Sequence, residues 1–221
     1  MVMICTMLIS ALLGAALASA GCLLQRHLSD RHAAGNVPPP RELTAWDERS
    51  MAYHEAGHAV CSYFLPEREQ LLRVTISPTD EAFGMVQVAP RPHHNETRVS
   101  LMSTLAVLTA GRLAEELFLN EVTTSGIHDL GAAGQLAADM VLKFGMGEKT
   151  KTALLPPEMP LDDALLQMIN SDIRRLLISA DEKAHQVLTE RSEVVEALVE
   201  LLLREKTLGE KQLRTFFDRV A

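Results

Sequence analysis

Thr44-Ala45-Trp46-Asp47-Glu48-Arg49-Ser50-Met51-Ala52-Tyr53-His54-Glu55-Ala56-Gly57-His58-Ala59-Val60-Cys61-Ser62-Tyr63-Phe64-Leu65-Pro66 reads as one long helix. Thr44 is placed to cap it, Asp47 and Glu48 lie in the first turn at the positive end of the helix dipole, and Pro66 stops it. Met51, Ala59, Val60, Tyr63 and Phe64 supply the expected buried side. Within the helix, His54 and His58 are four residues apart, so both imidazoles share a face and can reach one cation. Glu55 stands beside them, where a carboxylate can take a proton from water. Two nitrogen ligands, a base and an open coordination position predict a zinc-dependent hydrolase, most often a peptidase. Gly57 costs its own helix about 1 kcal/mol relative to alanine, which predicts another backbone packed closely against it.

Working outward, 71–77 and 83–89 hold short β-type runs around Pro78-Thr79-Asp80-Glu81 and predict a hairpin, ended by Pro90 and Pro92. Helices are expected over 98–119 and 127–144, the latter closed by Gly145. After a loop at Pro156, Pro157 and Pro160, three more are expected over 161–190, 192–206 and 209–220. Gly145-Met146-Gly147-Glu148-Lys149-Thr150 is not a phosphate-binding loop, because it lacks glycine before the lysine and follows a helix instead of a strand.

The 221 residues carry a formal charge of -8, which leaves no basic stripe for phosphates and argues against nucleic acid. Cys5, Cys22 and Cys61 are odd in number and far apart, so neither a disulfide framework nor a thiolate metal site is expected. Cys61 reads as a small buried thiol. Residues 1–25 contain no charge and 3–24 are almost wholly apolar, enough to cross a bilayer, which takes about 20 residues. Gly14, Ala18 and Cys22 add the small-residue spacing of packed membrane helices. Ala18-Ser19-Ala20 offers the competing reading of a cleaved signal and an exported protein. Arg26, Arg31 and Arg41 follow the apolar run and none precedes it, which favours an uncleaved anchor with the downstream domain in the cytoplasm. Residues 26–43, with Pro38-Pro39-Pro40, read as a stiff tether, and 44–221 as the catalytic domain.

Two histidines do not complete a catalytic zinc site. His58 is followed by no short-range third ligand, so the ligand must come from a later helix. Glu115 and Glu116 in Gly111-Arg112-Leu113-Ala114-Glu115-Glu116 are candidates, as is Asp129 in Thr123-Thr124-Ser125-Gly126-Ile127-His128-Asp129-Leu130. Asp129 has the helix dipole in its favour, but the residues alone leave the three close to even. His128 is a further candidate for a supporting role or an alternative ligand. His93-His94 reads as surface, and Asn95-Glu96-Thr97 has the form of a glycosylation sequon that matters only in a secretory lumen.

Ala52 to Ala59, the phrase Val74-Thr75-Ile76-Ser77-Pro78, Gly111 to Glu116, Thr123 to Leu130 and the C-terminal Leu202-Leu203-Arg204-Glu205-Lys206-Thr207-Leu208 occur in the order of the FtsH-type membrane proteases, peptidase family M41, which the chain resembles over about 44–217. The resemblance implies zinc held by His54, His58 and Asp129, with Glu55 as the catalytic glutamate. It also implies a mainly α fold, a helical array with a two-stranded β-ribbon whose edge receives substrate as an added strand. A hexameric ring is implied as well. FtsH proteases carry an AAA+ ATPase domain before the peptidase, and these 221 residues hold none. The segment between Gly147 and Asp163 is shorter than the family's, and His128 departs from its pattern. The expectation is a membrane-anchored zinc metalloendopeptidase that cuts unfolded or flexible protein segments without an ATPase of its own. The alternative is an accessory, peptidase-like subunit acting with a separate AAA+ ATPase or a related protease complex.

Overall fold

The computed structural model describes residues 43–67, 70–78, 84–90, 95–151 and 162–220. The expected membrane helix, most of the tether, the hairpin turn, His93-His94 and the proline loop lie outside the described residues. Among the described residues no helix is long and apolar enough to cross a membrane. Contacts divide the chain between Leu43 and Thr44, and the unit Thr44–Ala221 is the one described below.

Its elements run α1 (Ala45–Phe64), β1 (Leu71–Thr75), β2 (Met85–Val88), α2 (Arg98–Leu119), α3 (Ile127–Leu142), α4 (Asp163–Glu190), α5 (Ser192–Glu205), β3 (Thr207–Gly209) and α6 (Glu210–Val220). The termini follow local chemistry. Thr44 Oγ accepts from the Asp47 backbone N–H (3.2 Å), and Asp47 Oδ2 accepts from the Thr44 N–H (2.8 Å), a capping box built with aspartate. Thr97 of the sequon caps α2 by accepting from Ser100 N–H at 3.0 Å. Asn120 ends that helix in the left-handed region, at φ 54°, which asparagine tolerates well.

α1 is the axis of the unit. It packs on α2 most extensively, then on α5, α4 and β1. The expectation of one buried side falls short: every residue from Ser50 to Ser62 is buried, because neighbours close on all faces. Cys61 is fully buried and inert, its thiol pKa pushed up by burial. Tyr63 stacks on Phe217 of α6 (centroids 4.3 Å, planes 13° apart), joining the last helix to the first. At Gly57 an added Cβ would lie 2.5 Å from the Ala110 carbonyl oxygen and 2.7 Å from Ala114 Cβ, so α1 and α2 touch backbone to side chain there. The helical glycine is what lets them.

The ribbon is three-stranded, not two-stranded as expected, in the order β2-β1-β3 and antiparallel throughout. Thr207 to Gly209 leave α5 through Lys206 in a left-handed turn and pair with β1 at Arg73↔Gly209, Val74↔Leu208 and Thr75↔Thr207. Without that third strand Val74 would lose the cover of Leu208, its partner across the pair; both are fully buried. β2 pairs on one side only, and its residues alternate between exposed and half-buried.

Candidate metal centre

His54 and His58 stand one turn apart on α1, both buried, with rings at 75° to each other and centroids 4.7 Å apart. Each ring is held from behind. His58 Nδ1–H donates to the Val107 carbonyl oxygen on α2 (2.7 Å). A carbonyl can only accept, so in the neutral ring Nε2 is left with a bare lone pair. His54 Nδ1–H donates to Glu115 Oε1, also at 2.7 Å, with the same result.

The two Nε2 atoms meet at 3.0 Å. Asp129, in the first turn of α3 and 75 positions from His54, brings Oδ2 to 3.3 Å from His54 Nε2 and 3.5 Å from His58 Nε2. Three such atoms facing one another call for positive charge between them, a proton or a metal ion. A zinc ion with bonds of about 2.0–2.2 Å in a tetrahedron sets its ligands about 3.3–3.6 Å apart, close to the separations found here. The donor set fits the ion. Room for it depends on Gly111 of α2, where an added Cβ would lie 2.5 Å from His58 Nε2 and 2.6 Å from His54 Nε2.

The same surroundings also favour a second proton on His54 itself, at Nε2 toward Asp129, a positive charge in the place an ion would fill. Burial works against charge on His54, but the hydrogen bonds to Asp129 and Glu115 and the nearby Glu55 carboxylate win, raising its pKa from 6.5 to about 9. Burial also opposes ionisation of Asp129, yet the two imidazoles hold its pKa well below the usual carboxylate range. Glu55 goes the other way. Its burial raises its pKa, and the pull of His58 and His54 only partly offsets that. Gly84, at the entry to β2, has its Cα close against the Glu55 carboxylate, so a side chain there would collide with it.

Of the three candidates for third ligand, Asp129 alone joins the two Nε2 atoms in a group able to hold an ion, among the described residues. Glu115 lies on the opposite side of His54 and is almost completely buried. Besides His54 it accepts from Thr123 N–H (2.6 Å), Thr123 Oγ1–H (3.1 Å) and Ser125 Oγ–H (2.7 Å). These bonds outweigh burial and keep Glu115 ionised. They also tie the loop that delivers Asp129 to the helix that orients His54. Glu116 points away and pairs with Arg112 at 2.8 Å. His128 is exposed on the cleft wall, outside the ion-binding group.

Thr123, Ser125, the Val107 carbonyl and Gly111 were not visible as site residues in the sequence. Only Gly111, a glycine inside a helix, left a signal that could have been followed. The centre opens into a cleft of about 520 Å³ between α1, α2, β2 and the start of α3.

The sequence profile described as Peptidase family M41 matches residues 41–216. ATP-dependent zinc metalloprotease FtsH 4 of Sphaerobacter thermophilus is 35% identical over 185 residues, covering 77% of this chain and 28% of that protein. ATP-dependent zinc metalloprotease FtsH of Bacillus subtilis is 30% identical over 205 residues, 86% of this chain and 32% of that protein. The mouse mitochondrial inner membrane m-AAA protease component AFG3L2 is 29% identical over 214 residues, 88% of this chain and 27% of that protein. The chain thus spans between 27% and 32% of the length of these three relatives.

Proposed function

The chain belongs to peptidase family M41, and from that membership we propose that it is a zinc metalloendopeptidase with His54, His58 and Asp129 as the metal ligands and Glu55 as the catalytic base. The observation that carries the proposal is the meeting of three bare acceptor atoms whose imidazole partners have their other nitrogens already engaged. When bound, the zinc ion supplies a Lewis acid that polarises the scissile carbonyl and makes water a nucleophile near neutral pH. Glu55, buried beside it, takes the proton of the attacking water and returns it to the leaving amine. Glu115 and the Val107 carbonyl keep both imidazoles in the ligating tautomer and orientation.

Among the described residues β2 is an edge strand, with one side free of a strand neighbour and its residues lining the cleft, which suits a substrate bound as an added strand. Only an extended chain can do that, so unfolded or flexible protein segments are the proposed substrates. Anchoring through 1–25, with the peptidase domain on the cytoplasmic side of the membrane, is part of the same proposal and rests on the sequence pattern. So is assembly into a ring, which rests on the family resemblance.

The test is degradation of casein by the full chain with zinc and without ATP, set against a Glu55→Gln variant and a chelator-treated sample. Cleavage lost in both and restored by zinc in the wild type supports the assignment. Equal cleavage by wild type and variant removes it.

A further inference from the structure

Ser62 lies on the same face of α1 as His54 and His58, one further turn along and about 6 Å beyond His58 in helix rise. It lines the cleft, yet its side chain is only 2% exposed and its Oγ has no hydrogen-bond partner among the described residues. A buried hydroxyl without a partner costs free energy, and nothing in the packing of α1 explains it. Its cleft neighbours include Val86 and Val88 of β2 and Val107 and Leu108 of α2. Thr124 and Ser125 also line the cleft, but Ser62 is the one buried among these valines, and an apolar wall with a few placed polar groups is the make-up of a pocket that orients a bound side chain.

On the proposed peptidase function, we infer that Ser62 is a specificity-determining residue: its hydroxyl receives the neutral, hydrogen-bonding tip of a substrate side chain next to the scissile bond. Among the described residues, no ionisable side chain lines the cleft apart from the groups of the metal centre and His128, which leaves a charged tip without a partner beside Ser62. A neutral polar tip completes the one open hydrogen bond while its stem covers the valines. The preference is therefore for a side chain with a hydroxyl at that depth over its apolar counterpart: tyrosine over phenylalanine if Ser62 lies at the pocket floor, threonine over valine if it lies near the backbone.

Binding tests this apart from catalysis. Matched peptides carrying tyrosine or phenylalanine, and threonine or valine, at each position in turn of a decapeptide are titrated by fluorescence anisotropy into zinc-loaded Glu55→Gln protein, with and without Ser62→Ala. At one position the polar member should bind about fivefold tighter, as expected for one added hydrogen bond. Ser62→Ala should abolish that preference, leave affinity for the apolar member unchanged and leave the melting temperature equal or higher. A preference that survives Ser62→Ala, no preference at any position, or no binding overturns the inference. The same peptides are then offered to the wild type. A Ser62-dependent binding preference without cleavage sinks the peptidase proposal and leaves the pocket standing; cleavage without that preference does the reverse.

Discussion

Replacing Gly111 with alanine should disable the metal centre while leaving the fold in place. The new Cβ would stand 2.5 Å from His58 Nε2 and 2.6 Å from His54 Nε2, where ordinary contact begins at 3.4 Å, a shortfall of 0.9 and 0.8 Å. Neither ring can retreat freely, because Val107 and Glu115 hold each from behind at 2.7 Å. Metal sites tolerate ligand errors of about 0.2 Å, so a displacement several times larger should lower zinc affinity by at least ~100-fold. Two effects on stability oppose each other. Alanine favours the helix by about 1 kcal/mol, while overpacking costs about 1–3 kcal/mol. The metal-free variant should therefore melt close to or somewhat below the metal-free wild type. Competition against a chromophoric chelator gives the affinity, and circular dichroism with a thermal melt gives the fold. Zinc bound within threefold of wild type by a fully helical Gly111→Ala protein would refute the argument that this glycine keeps the space between the imidazoles open.

Gly57→Ala should destabilise by up to about 2 kcal/mol, since its Cβ meets the Ala110 carbonyl oxygen and the overpacking, about 1–3 kcal/mol, outweighs the helix preference of alanine, about 1 kcal/mol; denaturant midpoints decide it. Glu115→Gln should weaken zinc binding about 10–100-fold by loosening His54, whereas Glu116→Gln, on the exposed side of α2, should leave it unchanged. After chelation, the protonated form of His54 stabilises the fold because its folded pKa of about 9 exceeds the unfolded 6.5. That contribution is complete below pH 6.5 and disappears as pH rises through 9, so the chelated protein should melt progressively lower across this window and a His54→Gln variant should not. Identical pH dependence in the two would show that His54 holds no such proton.

The parts of the molecule legible in sequence were those set by neighbours along the chain. Thr44, Asp47 and Pro66 fix the ends of α1, and the four-residue spacing of His54 and His58 fixes their common face. Gly57 announced a close approach because a helical glycine has a local cost. What stayed hidden was set by neighbours in space. No local rule says whether Glu115 or Asp129 reaches the Nε2 side of the imidazoles; the meeting of α2 and α3 around a loop tied by Thr123 and Ser125 determines it. β3 escaped because three residues are too few to show strand alternation, and Gly209 reads equally well as the start of the next helix. The burial of α1 on every side could not be read from a sequence carrying histidines and a glutamate at its centre, since the histidines find their partners on later elements, Glu115 and the Val107 carbonyl of α2 and Asp129 of α3.

The pairing of Thr207 to Gly209 with the middle strand has a consequence for biosynthesis. β2, which forms one bank of the cleft, packs on α1 but finds its strand partner in β1, and β1 finds its second neighbour only when this later segment emerges. Ribosomes finish the histidine helix long before they finish that neighbour. A nascent copy therefore holds the histidine helix before the sheet beside it is complete, and the cleft takes its final form only after Thr207 to Gly209 have emerged.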